Sequence, residues 1–102
     1  MKELYNILDS CVKDIDAISD GSSIDYENFY DYVSDALDIE YKIDARGGYR
    51  GALLTLTMGG PTITLDTATG ELRAVWGFDD TSVWIDTDEI DAVCEEFYEE
   101  TR

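Results

Sequence analysis

The chain has no histidine, one proline, two cysteines and only seven lysine and arginine side chains among 102 residues. Without histidine it lacks the commonest general base at neutral pH and the commonest transition-metal ligand. With so few cations it has no means of gripping phosphates, so direct binding to nucleic acid or to an acidic membrane is not expected. Cys11 and Cys94 match neither a zinc spacing nor a CxxC motif. Both fall on apolar helix positions and are read as buried free thiols, a bridge between them being the alternative. No apolar run is long enough to span a membrane, and Met1-Lys2-Glu3 opens directly into an amphipathic pattern, so a soluble, cytoplasmic protein is expected. Nucleophile elbow, P-loop and dinucleotide fingerprint are all missing. The pairs Gly47-Gly48 and Gly59-Gly60 read as hairpin turns rather than phosphate cradles. No catalytic residue, cofactor or dedicated metal site is expected. Asp79, Asp80, Asp86 and Asp88 cluster in sequence, but not in the order of an EF-hand loop.

What the chain does have is acid. Twenty-four aspartates and glutamates give a net charge of −17 and a pI of about 4.1. Charge this high often means disorder. Here 44% apolar residues, with seven Tyr, three Phe and two Trp, recur in periodic patterns. Residues 1–102 therefore read as one folded acidic domain.

Leu4, Ile7, Leu8, Cys11, Ile15 and Ile18 recur at helical steps, and Asp20-Gly21-Ser22-Ser23 ends that helix. A second helix is expected from Asp25 as N-cap, with Ile24 and Phe29 as a hydrophobic staple and Tyr26, Phe29, Tyr30, Val33 and Leu37 inward. Alternation then replaces helical spacing. Strands are expected at 39–43, 52–58, 62–66, 72–76 and 82–85, joined by glycine-bearing turns. A last helix starts at Asp86 or Thr87, with Glu89 completing a capping box and Ile90, Val93, Cys94 and Phe97 inward. Short loops favour an antiparallel meander. The expected fold is α+β: a β-meander of four to five strands with three helices packed on one face, in the order ααβββββα.

Charge is segregated along this order. Residues 1–44 hold twelve acids and three bases, 45–85 four and three, and 86–102 eight and one. The last helix, DTDEIDAVCEEFYEE over 86–100, has eight carboxylates and no base. At ~1.5 Å per residue it carries about one charge per 3 Å, close to the ~3.4 Å spacing along one DNA strand. Glu27, Asp31, Asp35 and Asp38 recur at steps of four, four and three and form a second row. A charged helix face is often no more than a solvated face, but it normally mixes signs, since like charges at these steps destabilise a helix. Both rows carry one sign, apart from the terminal Arg102. Expected partner-binding residues are therefore Glu27, Asp31, Asp35, Asp38, Asp88, Asp91, Glu95 and Glu99. Phe78, in a turn beside Asp79 and Asp80, is the aromatic best placed to be an exposed anchor.

In size, charge and layout the whole chain resembles the acidic nucleic-acid-mimic inhibitors of phages and mobile elements, the anti-CRISPR and anti-restriction class. Over its second half, Gly59-Gly60-Pro61, Asp66-Thr67, Gly70-Glu71 and Trp76-Gly77 followed by the acidic helix also resemble a family of small proteins from mobile elements of gut bacteria. The resemblance implies a stoichiometric, non-enzymatic, anti-defence inhibitor in the bacterial cytoplasm. Its partner would be a basic nucleic-acid-binding protein, an RNA-guided nuclease or restriction enzyme first. Two rivals share these electrostatics: an immunity or antitoxin-like protein that blocks a basic nuclease toxin, and a mobile-element accessory protein whose partner has no nucleic-acid site.

Overall fold

The computed structural model describes residues 2–101. Its elements are α1 (Lys2–Asp20), α2 (Phe29–Ser34), β1 (Asp38–Ile43), β2 (Tyr49–Thr57), β3 (Thr62–Asp66), β4 (Glu71–Trp76), β5 (Asp79–Trp84) and α3 (Asp88–Thr101). The strands form one antiparallel sheet in chain order, β1 to β5. The α+β meander and its helix order are those the patterning predicts.

Alternation decides which face of the sheet is covered. Ala52 and Leu54 of β2, Ile63 and Leu65 of β3, and Leu72 and Ala74 of β4 are buried in one cluster with Leu4, Leu8, Ile15, Ile18, Phe29, Val33, Ile90 and Cys94 from the helices. Each fully buried large side chain contributes roughly 1.5–3 kcal/mol. The intervening residues face the open side. There Lys42 pairs with Asp66 and Arg73 with Asp80, and Ser82 donates to Glu71. α1 packs on β4 and β5, α3 on β2, and α2 against α3. Cys11 and Cys94 are both free thiols, Cys94 being fully buried.

Local side-chain bonds and turns moved the start of α2 later and the starts of β2 and β5 earlier, to Tyr49 and Asp79, while α3 begins at Asp88, one residue past the expected Thr87. The Ser23 hydroxyl accepts from the backbone N–H groups of Asp25 and Tyr26, so Asp25 sits in a turn and does not cap a helix. Asn28 is the N-cap instead, its side chain accepting from the Asp31 N–H at 2.9 Å. The Ile24 staple does not form, since Ile24 is 98% exposed. At α3 the Thr87 carbonyl accepts from the Asp91 N–H, and the Asp86 carboxylate accepts from the Asp88 N–H at 2.9 Å. Glu89 makes no capping box, because its carboxylate accepts from the Ser19 hydroxyl of α1 at 3.0 Å. β5 begins at Asp79, directly opposite Trp76, which leaves Gly77-Phe78 as a two-residue hairpin loop. Gly77 has φ +64° and Phe78 does not share that sign, the pattern of a type II′ turn.

Gly70 joins two parts of the chain. Its N–H donates to the Asp66 carbonyl at 2.8 Å, and its carbonyl accepts from the Ile85 N–H at 2.9 Å. Its φ is +81°, and a Cβ there would collide with the Ile85 carbonyl oxygen. Gly70→Ala should therefore lower stability by about 2–4 kcal/mol. Urea denaturation followed by circular dichroism would read this as a lower midpoint with an unchanged slope.

Candidate partner-binding site

Of the two acidic rows, α3 survives as a helix and the other does not. Glu27 lies in the loop before α2, Asp31 is on α2, Asp35 is its C-cap, and Asp38 opens β1. The six residues of α2 are too few to carry a row of four acids, and β1 turns Asp38 onto the open side of the sheet. The structure brings a different set together. Asp14 of α1, Asp25 of the loop, and Asp31 and Asp35 line one concavity around Tyr26 and Ser34. Asp14 was legible as a position off the apolar stripe of α1. That it would meet Asp31 and Asp35 was not, because the meeting depends on where the 21–28 loop returns α2.

Tyr26 donates to Asp35 Oδ2 at 2.6 Å. This bond, then burial, then the charges of Asp35, Asp25 and Asp14, raise the Tyr26 phenol to about 12. A raised phenol favours the neutral form in the fold. Its stabilisation is complete below the ordinary tyrosine value near 10 and is lost as pH rises through about 12. Burial chiefly raises Tyr32, Tyr41 and Tyr49 as well, so a spectrophotometric titration should show several late-ionising tyrosines, one fewer in Tyr26→Phe and one shifted to lower pH in Asp35→Asn.

On α3, three and four residue steps place Ala92, Glu95, Glu96, Glu99 and Glu100 along one outward face. Asp88 is exposed at its start. Among the described residues, the four ion pairs engage Asp9, Asp44, Asp66 and Asp80, and none takes in Asp88, Glu95, Glu96 or Glu100. Glu96 and Glu100 share this outward face but are not among the expected partner-binding residues, although stepping four residues from Glu96 reaches Glu100.

Asp91 was expected in the outward row and faces inward instead. Its Oδ1 accepts from the Tyr49 hydroxyl and from Thr67 Oγ1, each at 2.7 Å. Helical spacing carries the signal, since 87, 91, 94 and 98 share the stripe of buried Cys94. Thr87 Oγ1 donates to the Thr67 carbonyl at 3.0 Å, so two threonines and one tyrosine hold the first turns of α3 to the sheet. Burial, and then the Asp91 charge, push the Cys94 thiol up to about 12.

The two acid groups meet at an aromatic seam. Tyr30 of α2 and Phe97 of α3 touch edge to face, with centroids 4.7 Å apart. Tyr30 adjoins Asp31, and Phe97 sits between Glu96 and Glu100 in the helix. Phe78 is fully exposed, but in the β4–β5 turn. α3 is tied to the opposite end of the sheet, where β2 begins and β3 finishes. The six residues of β4 separate the two by roughly 20 Å. Phe78 therefore does not share the α3 surface. Its own end of the sheet exposes Met58 and Trp76 as well.

The chain matches no family model, no curated protein and no solved structure. Among the described residues no group of acids or cysteines is arranged to hold a metal ion, and no helix is long and apolar enough to cross a membrane.

Asp91 separates anchoring from binding. Asp91→Ala removes the shorter bond of each hydroxyl, leaving Tyr49 only the backbone carbonyl of residue 91 at 3.4 Å and Thr67 only the Ala52 carbonyl at 3.3 Å, and should cost about 1–2 kcal/mol in thermal or urea unfolding. Asp91→Asn keeps Oδ1 as an acceptor and should lose less than half as much.

Proposed function

We propose that the protein is a stoichiometric inhibitor that occupies the basic groove of a nucleic-acid-binding protein, acting as an acidic mimic of the polynucleotide. The observation that carries this reading is the outward ridge of α3, where Asp88, Glu95, Glu96 and Glu100 stand exposed and outside every ion pair described above. Glu99 lies on the same face. Carboxylates on one helix turn recur every ~5–6 Å, within reach of arginines and lysines spaced to meet successive phosphates. Holding them on a folded helix spares the partner the cost of ordering a flexible chain. Asp31, Asp35, Asp14 and Asp25 extend the negative surface past the Tyr30–Phe97 seam. Tyr30, itself exposed, takes the part of a stacked base against an arginine or an apolar patch. RNA-guided nucleases and restriction enzymes of the bacterial cytoplasm are the partners to try first.

The test is competition. Labelled duplex DNA is bound to such an enzyme, and the protein is titrated in while anisotropy is followed. The protein should displace DNA, and its apparent affinity should fall steeply between 50 and 300 mM salt. Asp88→Lys, Glu95→Lys, Glu96→Lys and Glu100→Lys combined should weaken displacement about 100-fold at low salt, given up to ~1 kcal/mol per exposed pair, with the circular dichroism spectrum retained. Undiminished inhibition by this variant would sink the reading. So would a captured partner that DNA does not displace.

A further inference from the structure

The α1–α3 junction holds a cleft that the acidic ridge does not use. It has a volume of about 220 Å³ and lies between the second half of α1, α2 and the start of α3. Its floor is apolar: Ile15, Phe29 and Ile90 are buried there, beside the half-buried Val12 and Ile85. Its rim is acidic. Asp16, Asp86 and Glu89 are exposed around the mouth, and no basic residue lines it. Two of these carboxylates are held in place, Glu89 by the Ser19 hydroxyl and Asp86 by the Asp88 N–H.

A greasy floor under a negative mouth matches one kind of group: a cation on a short aliphatic stem. The stem lies on apolar surface and the charged head stays at the wet rim, as lysine and arginine side chains do. Neither a bare metal ion nor a neutral hydrocarbon fits both halves of this lining. We infer that the cleft receives a lysine or arginine side chain projecting from the partner protein, the source of that side chain resting on the inhibitor reading given above. Insertion there would give a flexible, salt-sensitive electrostatic contact one fixed point of register, since a desolvated anchor is harder to displace than rim charges.

The isolated protein can be tested with small probes. Labelled with ¹⁵N, it is titrated with n-butylguanidinium and n-butylammonium, and in parallel with n-butylurea and with guanidinium chloride. Both butyl cations should move the amide signals of Val12, Ile15, Ile85 and Ile90 saturably. Butylurea, which has the stem without the charge, and guanidinium, which has the charge without the stem, should each bind about fivefold more weakly or worse. Asp86→Asn with Glu89→Gln keeps both acceptor oxygens, so the rim geometry is retained, and should weaken the butyl cations by about fivefold. The inference is overturned if butylurea binds as tightly as the cations, if the shifts fall on the α3 ridge and spare the cleft, or if the double variant binds unchanged. Competition with DNA is a separate measurement. Cleft binding without DNA displacement would sink the inhibitor reading alone, and displacement without cleft binding would sink this one alone.

Discussion

Asp91 accepts from the Tyr49 and Thr67 hydroxyls, and through them the most acidic helix of the chain is held to the sheet. Such an anchor is needed because residues 86–102 carry eight acids, and like charges three and four residues apart each destabilise a helix by a few tenths of a kcal/mol. The helix cannot rely on its own surface for stability. It relies on Ile90 and Cys94 in the core, on hydroxyl bonds to one carboxylate near its start, and on the Tyr98 hydroxyl, which donates to the Gly47 carbonyl near its end. With one acid turned inward, Asp88, Glu95, Glu96 and Glu100 face outward without losing the fold.

The sheet is arranged in the opposite way. On its open side the cations are few but each is used, Lys42 by Asp66 and Arg73 by Asp80. Burial opposes ionisation of Asp66, yet the Lys42 ammonium and the Ala68 and Thr69 N–H groups outweigh it and hold the carboxyl below its usual range. The result is a molecule with a nearly balanced strand surface and a strongly negative helical one. Any cationic molecule approaching by diffusion would be turned toward the helices before contact.

Period and turn chemistry were enough to read the architecture. Alternation marked Ala52, Leu54, Ile63, Leu65, Leu72 and Ala74 for the core, whereas Ile43, Met58 and Trp76, in the same phase at the strand ends, stay exposed; the helical stripe of α1 needed no tertiary information. The failures came where a polar side chain holds the backbone in a local turn ahead of a helix start. Asp25 and Asn28 are equally good N-caps in isolation, and Ser23 decided between them. The site was legible as charge and only partly as geometry. The α3 ridge follows from helical spacing alone, but the row from Glu27 to Asp38 dissolved once α2 proved six residues long. The concavity around Tyr26 joins α1 to the loop and helix that follow it, the cleft beneath Glu89 joins α1 to residues 85–90, and no periodicity links those.

The meander is open, so β1 and β5 each leave one flank of backbone N–H and C=O groups without a strand beside it. Bare flanks of this kind invite a second molecule to add its own strand. Here β1 presents Asp38 and Glu40 to solvent, and β5 opens with Asp79 and Asp80. Two copies meeting flank to flank would force these carboxylates together at the ~4.8 Å spacing between strands. The same surplus of acid that would draw in a cationic partner thus opposes strand pairing between two copies. Salt that loosens the first effect relaxes the second, and crowded, high-salt solutions are where self-association through these flanks would begin.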